Sequence, residues 1–120
     1  MANEVTIQTA VSYTKNGKTL TLPAGTTALT VSGNGLQHGV KLIGHSAAEA
    51  IPLGGVTTPG FAKFRNLDAT NPIRIGYDVS GFVYFTEIPA GKEITIILKA
   101  APWAQAITAD ALLEITIFDV

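Results

Sequence analysis

His38 and His45, four serines and nine carboxylates are the side chains of this 120-residue chain that could do chemistry. The histidines lie seven positions apart, beside a glycine-rich strand. Glu49 follows His45 by four, but one imidazole and one carboxylate fall short of the three or four convergent ligands a metal site needs. No G-x-S-x-G surrounds Ser12, Ser32, Ser46 or Ser80, so there is no nucleophile elbow. Asp68, Asp78 and Glu87 could pair as a glycosidase couple, yet nothing in their spacing favours it. The chain has no cysteine, which removes disulfides, thiolate metal sites and cysteine nucleophiles. "GNGLQHG" (33–39) is glycine-rich, but His38 stands where G-x-G-x-x-G needs its third glycine, and no helix follows to meet a phosphate. We therefore expect no catalytic site, no metal and no cofactor.

Charge narrows the partners. Eight Lys and Arg against nine Asp and Glu leave a net charge of -1. Nucleic-acid binders carry a basic excess, because neutralising phosphates supplies most of their affinity. Lys63, Arg65 and Arg74 do lie near Phe61, Phe64 and Phe82, a mixture that single-strand binders use. The overall balance argues against nucleic acid, and the aromatics are expected in the core. Charged residues make up 14% of the chain, against about 25% in a typical soluble domain. A surface this neutral suits a protein partly covered by partners. "MANEVTIQTA" has neither a basic start nor an apolar run, and no apolar stretch approaches the roughly 20 residues that span a bilayer. The expectation is a soluble chain made in a cytoplasm, without a membrane partner.

The elements that would carry these residues are strands. In "EVTIQTAVSYT", Val5, Ile7, Val11 and Tyr13 share one face, with Thr6, Gln8, Ser12 and Thr14 on the other. Asn16-Gly17 is a strong hairpin signal. "TLTL" (19–22) returns and should end at Pro23-Ala24-Gly25. Strands follow at 27–32, 39–44, 61–67, 72–77, 81–88, 93–99 and 111–119. Residues 45–60 read as a loop with room for a helical turn at Ser46–Ala50, and 101–110 as irregular or one helical turn. Turn signals every 8–12 residues and no ordinary helix predict one all-β domain over residues 1–120. Its expected form is an antiparallel two-sheet β-sandwich, jelly roll first, with a closed barrel as the alternative.

"FRNLDATNPIRIG" (64–76) places an apolar strand on each side of Asp68–Asn71. Closed as a four-residue hairpin, it would pair Phe64 with Ile75 and Arg65 with Arg74. Two arginines would then face each other on the outer face, either splayed or screened by Asp78 or Glu87, or bridged by an acidic partner. In "GFVYFTEI", Phe82, Tyr84 and Ile88 fall on one side and Val83 and Phe85 on the other. In "ALLEITIFDV", Leu113, Ile115 and Ile117 face in, while Leu112, Phe118 and Val120 share the outer face with Glu114 and Thr116. Strands apolar on both faces are either covered by loops or form an interface. Trp103 would be a lid on the core or an anchor for a neighbour. The candidate interface residues are Arg65, Arg74, Val83, Phe85, Trp103, Leu112 and Phe118.

"PLGGVTTPGFAKFRNLDATNPIRIG" (52–76) resembles small structural proteins of tailed-bacteriophage virions. Shared features are a V-T-T-P-G lead-in, an apolar strand, N-L-D-x-T-N, and an apolar strand ending in glycine. "IPAGKEITIIL" (88–98) and the alternating C-terminal strand extend the resemblance over roughly 51–119, and residues 1–50 lie outside it. The resemblance implies a non-enzymatic virion protein. First comes a capsid decoration or cement protein with a jelly-roll fold, a homo-oligomer that binds the major capsid protein on the outer shell and braces it. A tail, neck or fibre-associated protein contacting other virion proteins is the second reading. A carbohydrate-binding module would share the sandwich, but one Trp and three Tyr make a thin sugar platform.

Overall fold

The computed structural model describes residues 5–29 and 35–119. The chain forms two compact units, Met1–Ser32 and Gly33–Val120. The sandwich expected of residues 1–120 is confined to the second, and the first is an antiparallel two-stranded ribbon.

In the ribbon, β1 (Val5–Lys15) pairs with β2 (Lys18–Leu29). Asn16 and Gly17 turn the chain with φ of 52° and 76°, the left-handed pair a two-residue hairpin demands. β2 does not stop at Pro23-Ala24-Gly25. The register shifts there instead, with Thr9 opposite Gly25 and Val11 opposite Leu22. Pro23 has no N–H to give a ladder, so the strand absorbs it as an irregularity. The shift restores parity: Leu22 and Leu20 fall opposite Val11 and Tyr13. One face then carries Val5, Ile7, Val11, Tyr13, Leu20 and Leu22, and the other Thr6, Gln8, Ser12, Thr14, Thr19, Thr21 and Thr26. The strand end and glycine stop expected at 30–34 lie outside the described residues.

The second unit is all-β, with no helix among the described residues. Its strands are β3 (Leu36–Ile43), β4 (Glu49–Ala50), β5 (Pro59–Asn66), β6 (Ile73–Asp78), β7 (Phe82–Ile88), β8 (Glu93–Ile97), β9 (Trp103–Ala106) and β10 (Ala111–Asp119). They form two four-stranded antiparallel sheets, ordered β3-β10-β5-β8 and β4-β9-β6-β7. The helical turns allowed at Ser46–Ala50 and in 101–110 are absent: β4 and β9 occupy those stretches and pair with each other.

Both sheets bury their inner faces in one core. Ala62, Phe64, Leu113, Ile115 and Ile117 come from the first, and Ile73, Ile75, Ile88, Ala104 and Ala106 from the second. The inward alternation of Leu113, Ile115 and Ile117 is as the sequence pattern predicts. Among the described residues no buried side-chain polar atom lacks a hydrogen-bond partner.

Residues 64–76 do not form a hairpin. β5 and β6 belong to different sheets, and Asp68–Asn71 carries the chain across the core. Phe64 and Ile75 do share the core, but from opposite layers. Asn66 and Asp68 hold the crossing. The Asn66 side chain donates to the carbonyls of Asn71 (2.8 Å) and Ile88 (3.0 Å) and accepts the Asp68 N–H (2.9 Å). The Asp68 carboxylate accepts the N–H groups of Thr70 and Asn71 at 2.9 and 2.6 Å. These bonds hold its carboxyl below the usual range, that from Thr70 being the strongest cause.

Candidate interaction surfaces

Both histidines and most of the carboxylates in question bond within the fold. His38 Nδ1 lies 2.8 Å from the Thr116 hydroxyl. His45 Nδ1 lies 2.6 Å from Asp110, whose carboxylate also accepts the His45 N–H at 3.0 Å. The side-chain bond from His45 is the chief reason that the Asp110 carboxyl is held low. Asp78 accepts from Gly81 N–H, and Glu87 lies 3.3 Å from Arg74 Nε. Asp68, Asp78 and Glu87 therefore do not converge as a catalytic couple. Among the described residues no three His, Cys, Asp or Glu side chains group as a metal site.

Arg65 and Arg74 are not opposite each other. Arg65 lies on the outer face of the first sheet, in register with Glu93 on β8 and Glu114 on β10. Arg74 lies on the outer face of the second, opposite Glu87, with its guanidinium carbon 4.3 Å from the centre of the Tyr84 ring. The like-charge pair that would have called for an acidic partner does not exist, because the hairpin that would have created it is a crossing between sheets.

Val83 and Phe85 change sides relative to the simple alternation. A register shift between Ile75 and Gly76 leaves Phe85 as an extra residue in β7. A β-carbon at position 76 would collide with the Val83 carbonyl oxygen, so only glycine permits this close approach. Ile88 faces the core on one side of the shift. On the other, Val83 pairs with Tyr77, whose ring centre is 5.2 Å from that of Phe85. Ile88 therefore does not share a face with Phe82 and Tyr84.

The result is an open apolar groove of about 300 Å³, lined by Tyr77, Val79, Val83, Phe85, Ile96, Ile97 and Lys99. It lies where β7 and β8, each the last strand of its sheet, flank the gap between layers. Val83 and Ile97 are 60% and 64% exposed.

The outer face of the first sheet holds the remaining candidates. Leu112 is exposed opposite Leu42, and exposed Val40 and Leu36 lie farther along the edge strand β3, opposite Glu114 and Phe118. Phe118 is half-buried and stacks on Phe61 at 6.1 Å. Trp103 is half-buried at the start of β9, between Ala50 and Gly76. Sequence reasoning missed the ribbon's apolar face as a candidate surface, although Val5, Ile7, Val11 and Tyr13 already displayed it. It also missed Tyr77, Ile96 and Ile97 in the groove, which only the juxtaposition of two sheets brings together.

Comparison with protein-family models, curated proteins and solved structures finds no match to this chain.

Proposed function

We propose that this chain is a non-enzymatic structural subunit of a large protein assembly. The observation that carries this reading is exposed apolar surface arranged by strand: the ribbon face, the β7–β8 groove and the Leu42–Leu112 face. Scattered apolar residues are ordinary on a surface, but contiguous rows mark interaction sites. The low charge supports the same reading.

The resemblance of 52–76 names the assembly as a tailed-phage virion, with the chain as a capsid decoration protein on the outer shell. A position in the tail, neck or fibre is the second reading. We read the second unit as a jelly roll. Its support is eight strands in two sheets of four, with β6–β7 the one consecutive pair kept within a sheet. The partners in this reading are the major capsid protein and further copies of the chain, assembled in a bacterial cytoplasm.

Co-sedimentation with native capsid shells stripped of the protein tests it. Saturable rebinding, with a rise in the temperature at which shells rupture, is the expected result. Failure to rebind heads, with binding to purified tails, would replace the decoration reading by the tail reading. Binding to neither would overturn the virion assignment.

A further inference from the structure

Among the described residues, β3 is the edge of its sheet and pairs with β10 alone. An open edge presents a row of N–H and C=O groups, and proteins guard such edges with proline, bulges, charge or short length. β3 has 8 residues, no proline and no register shift against β10. Its lysine, Lys41, lies on the inward side, 3.2 Å from Glu49. On the outward side, Leu36, Val40 and Leu42 are 54–57% exposed. The main chain fixes what the edge presents. The Asp119 N–H donates to the Gly35 carbonyl at 3.0 Å, and on the far side of β10 the Leu67 N–H donates to the Leu112 carbonyl at 2.9 Å. Odd-numbered residues of β3 therefore turn their N–H and C=O groups to β10, and Leu36, His38, Val40 and Leu42 turn theirs to the open edge.

We infer that two copies join β3 to β3, antiparallel, about a two-fold axis at Gly39, so that the first sheet runs on from one copy into the other. This names a second copy as one partner of the proposed assembly, and it rests on that reading. Hydrogen bonding selects the register. With the axis at Gly39, Leu36 meets Leu42 of the other copy and His38 meets its Val40, so every open-edge group of the strand is used. An axis at Val40 would set Leu36 against Gly44, whose N–H and C=O are already bonded to Glu49 and Ala106. Charge selects the same register. An axis at His38 would oppose two imidazoles and one at Lys41 two ammonium groups, whereas at Gly39 Lys41 meets Gln37 of the other copy. The outer apolar rows also join. Leu36 stands in a row with Phe118, Phe61 and Ile97, and Leu42 with Leu112, so the Leu36–Leu42 pairing runs each row of one copy into a row of the other. Residues 36–42, at about 3.3 Å each on a layer about 10 Å thick, cover roughly 230 Å² per copy. A standard complex buries about 800 Å² per partner, so the free dimer is weak and main-chain hydrogen bonds hold it.

Gly39 supplies the test. A β-carbon there would meet nothing closer than the Gln37 amide at 4.0 Å, so Gly39→Cys fits the fold. At the axis, positions 39 of the two copies form a non-hydrogen-bonded pair with Cα atoms about 4.5 Å apart, within disulfide range. The natural chain has no cysteine. Under mild oxidation Gly39→Cys should form a disulfide dimer about tenfold faster than Val40→Cys or Thr95→Cys, because pairing raises the effective thiol concentration. Sedimentation of the parent should show a mass rising with concentration from 12.5 kDa toward twice that. Val40→Pro should stay monomeric and still melt cooperatively, since its N–H faces the open edge, where proline is tolerated; if it fails to fold, the disulfide rates decide. Fastest linking at Val40 would overturn the register. Equal rates at 39 and 95, a parent monomeric at every concentration, a mass that grows past the dimer, or a folded Val40→Pro that dimerises like the parent would overturn the pairing. A dimer that passes every test but ignores shells and tails would sink the virion reading alone.

Discussion

Asp119 and Gly35, 84 positions apart, are bonded to each other twice. The Asp119 carboxylate accepts the Gly35 N–H at 2.7 Å, and the Asp119 N–H donates to the Gly35 carbonyl at 3.0 Å. The other carboxylate oxygen accepts the N–H groups of Thr57 and Thr58 at 2.8 and 2.9 Å. One side chain, 4% exposed, thus fastens the last strand to the entry of β3 and to the loop before β5.

Those bonds favour the charged form, the one from Thr58 most, and hold the Asp119 carboxyl below the usual aspartate range. A carboxyl depressed in the folded state adds stability above its unfolded pKa, and that stability is lost as pH falls through the folded value. Asp68 and Asp110 are depressed in the same direction. The contribution of these three carboxyls to the melting temperature should therefore be constant above about pH 5, where all are ionised folded or unfolded, and be lost below about pH 4. Asp119→Asn should lower the neutral-pH melting temperature and flatten the acid slope. Differential scanning calorimetry across pH checks both. An unchanged slope would mean that the carboxylate charge is not what these N–H groups require.

Asn66 offers a second test. Replacing it by Ala leaves the Asn71 and Ile88 carbonyls and the Asp68 N–H without partners. Each buried polar group so orphaned costs about 1–3 kcal/mol. Partial rehydration at the Asp68 end argues for a total near 3 kcal/mol, a fall of roughly 15 °C for a sandwich of this size. Thermal melts followed by near-ultraviolet circular dichroism would show it, and a fall under about 3 °C would deny Asn66 its place in the crossing.

What the sequence revealed and what it hid divide along physical lines. Alternation and Asn16-Gly17 disclosed the ribbon and its turn, because both are local. Leu113, Ile115 and Ile117 announced the inner face of β10 for the same reason. The link 68–71 has the composition of a hairpin turn, and no local signal says whether the next strand stays in its sheet or crosses the core. Asn66 accounts for the crossing only through its burial and its bonds to the Asn71 and Ile88 carbonyls, neither of which its residue type discloses. Val83 and Phe85 were misplaced because one extra residue in β7 reverses parity, and Gly76, whose missing side chain permits the shift, was the sign of it. The groove was illegible because its walls come from strands on different sheets.

The two units should also separate experimentally. Among the described residues, every member of the buried core cluster lies at position 43 or later. A chain beginning at Gly33 should melt cooperatively, because the buried core is drawn from the second unit. Calorimetry on the truncated chain checks it. A truncated chain that fails to fold would show that the ribbon covers surface the sandwich needs.

Arg65 separates fold from assembly. On the outer face of the first sheet it stands in one row with Val40, Glu114 and Glu93, so Arg65→Glu would set three carboxylates side by side. Cross-strand like charges cost up to about 1 kcal/mol, so a drop of roughly 5 °C is expected at low salt. Most of it should return in 1 M salt, where the screening length falls to about 3 Å. Arg65→Gln, which removes the attraction without adding repulsion, should fall by less. Shell binding measured on the same proteins completes the argument. Binding that weakens only in step with stability makes Arg65 a charge that serves its own sheet. Binding lost while the melting temperature holds would place a partner's surface directly on the Arg65 guanidinium.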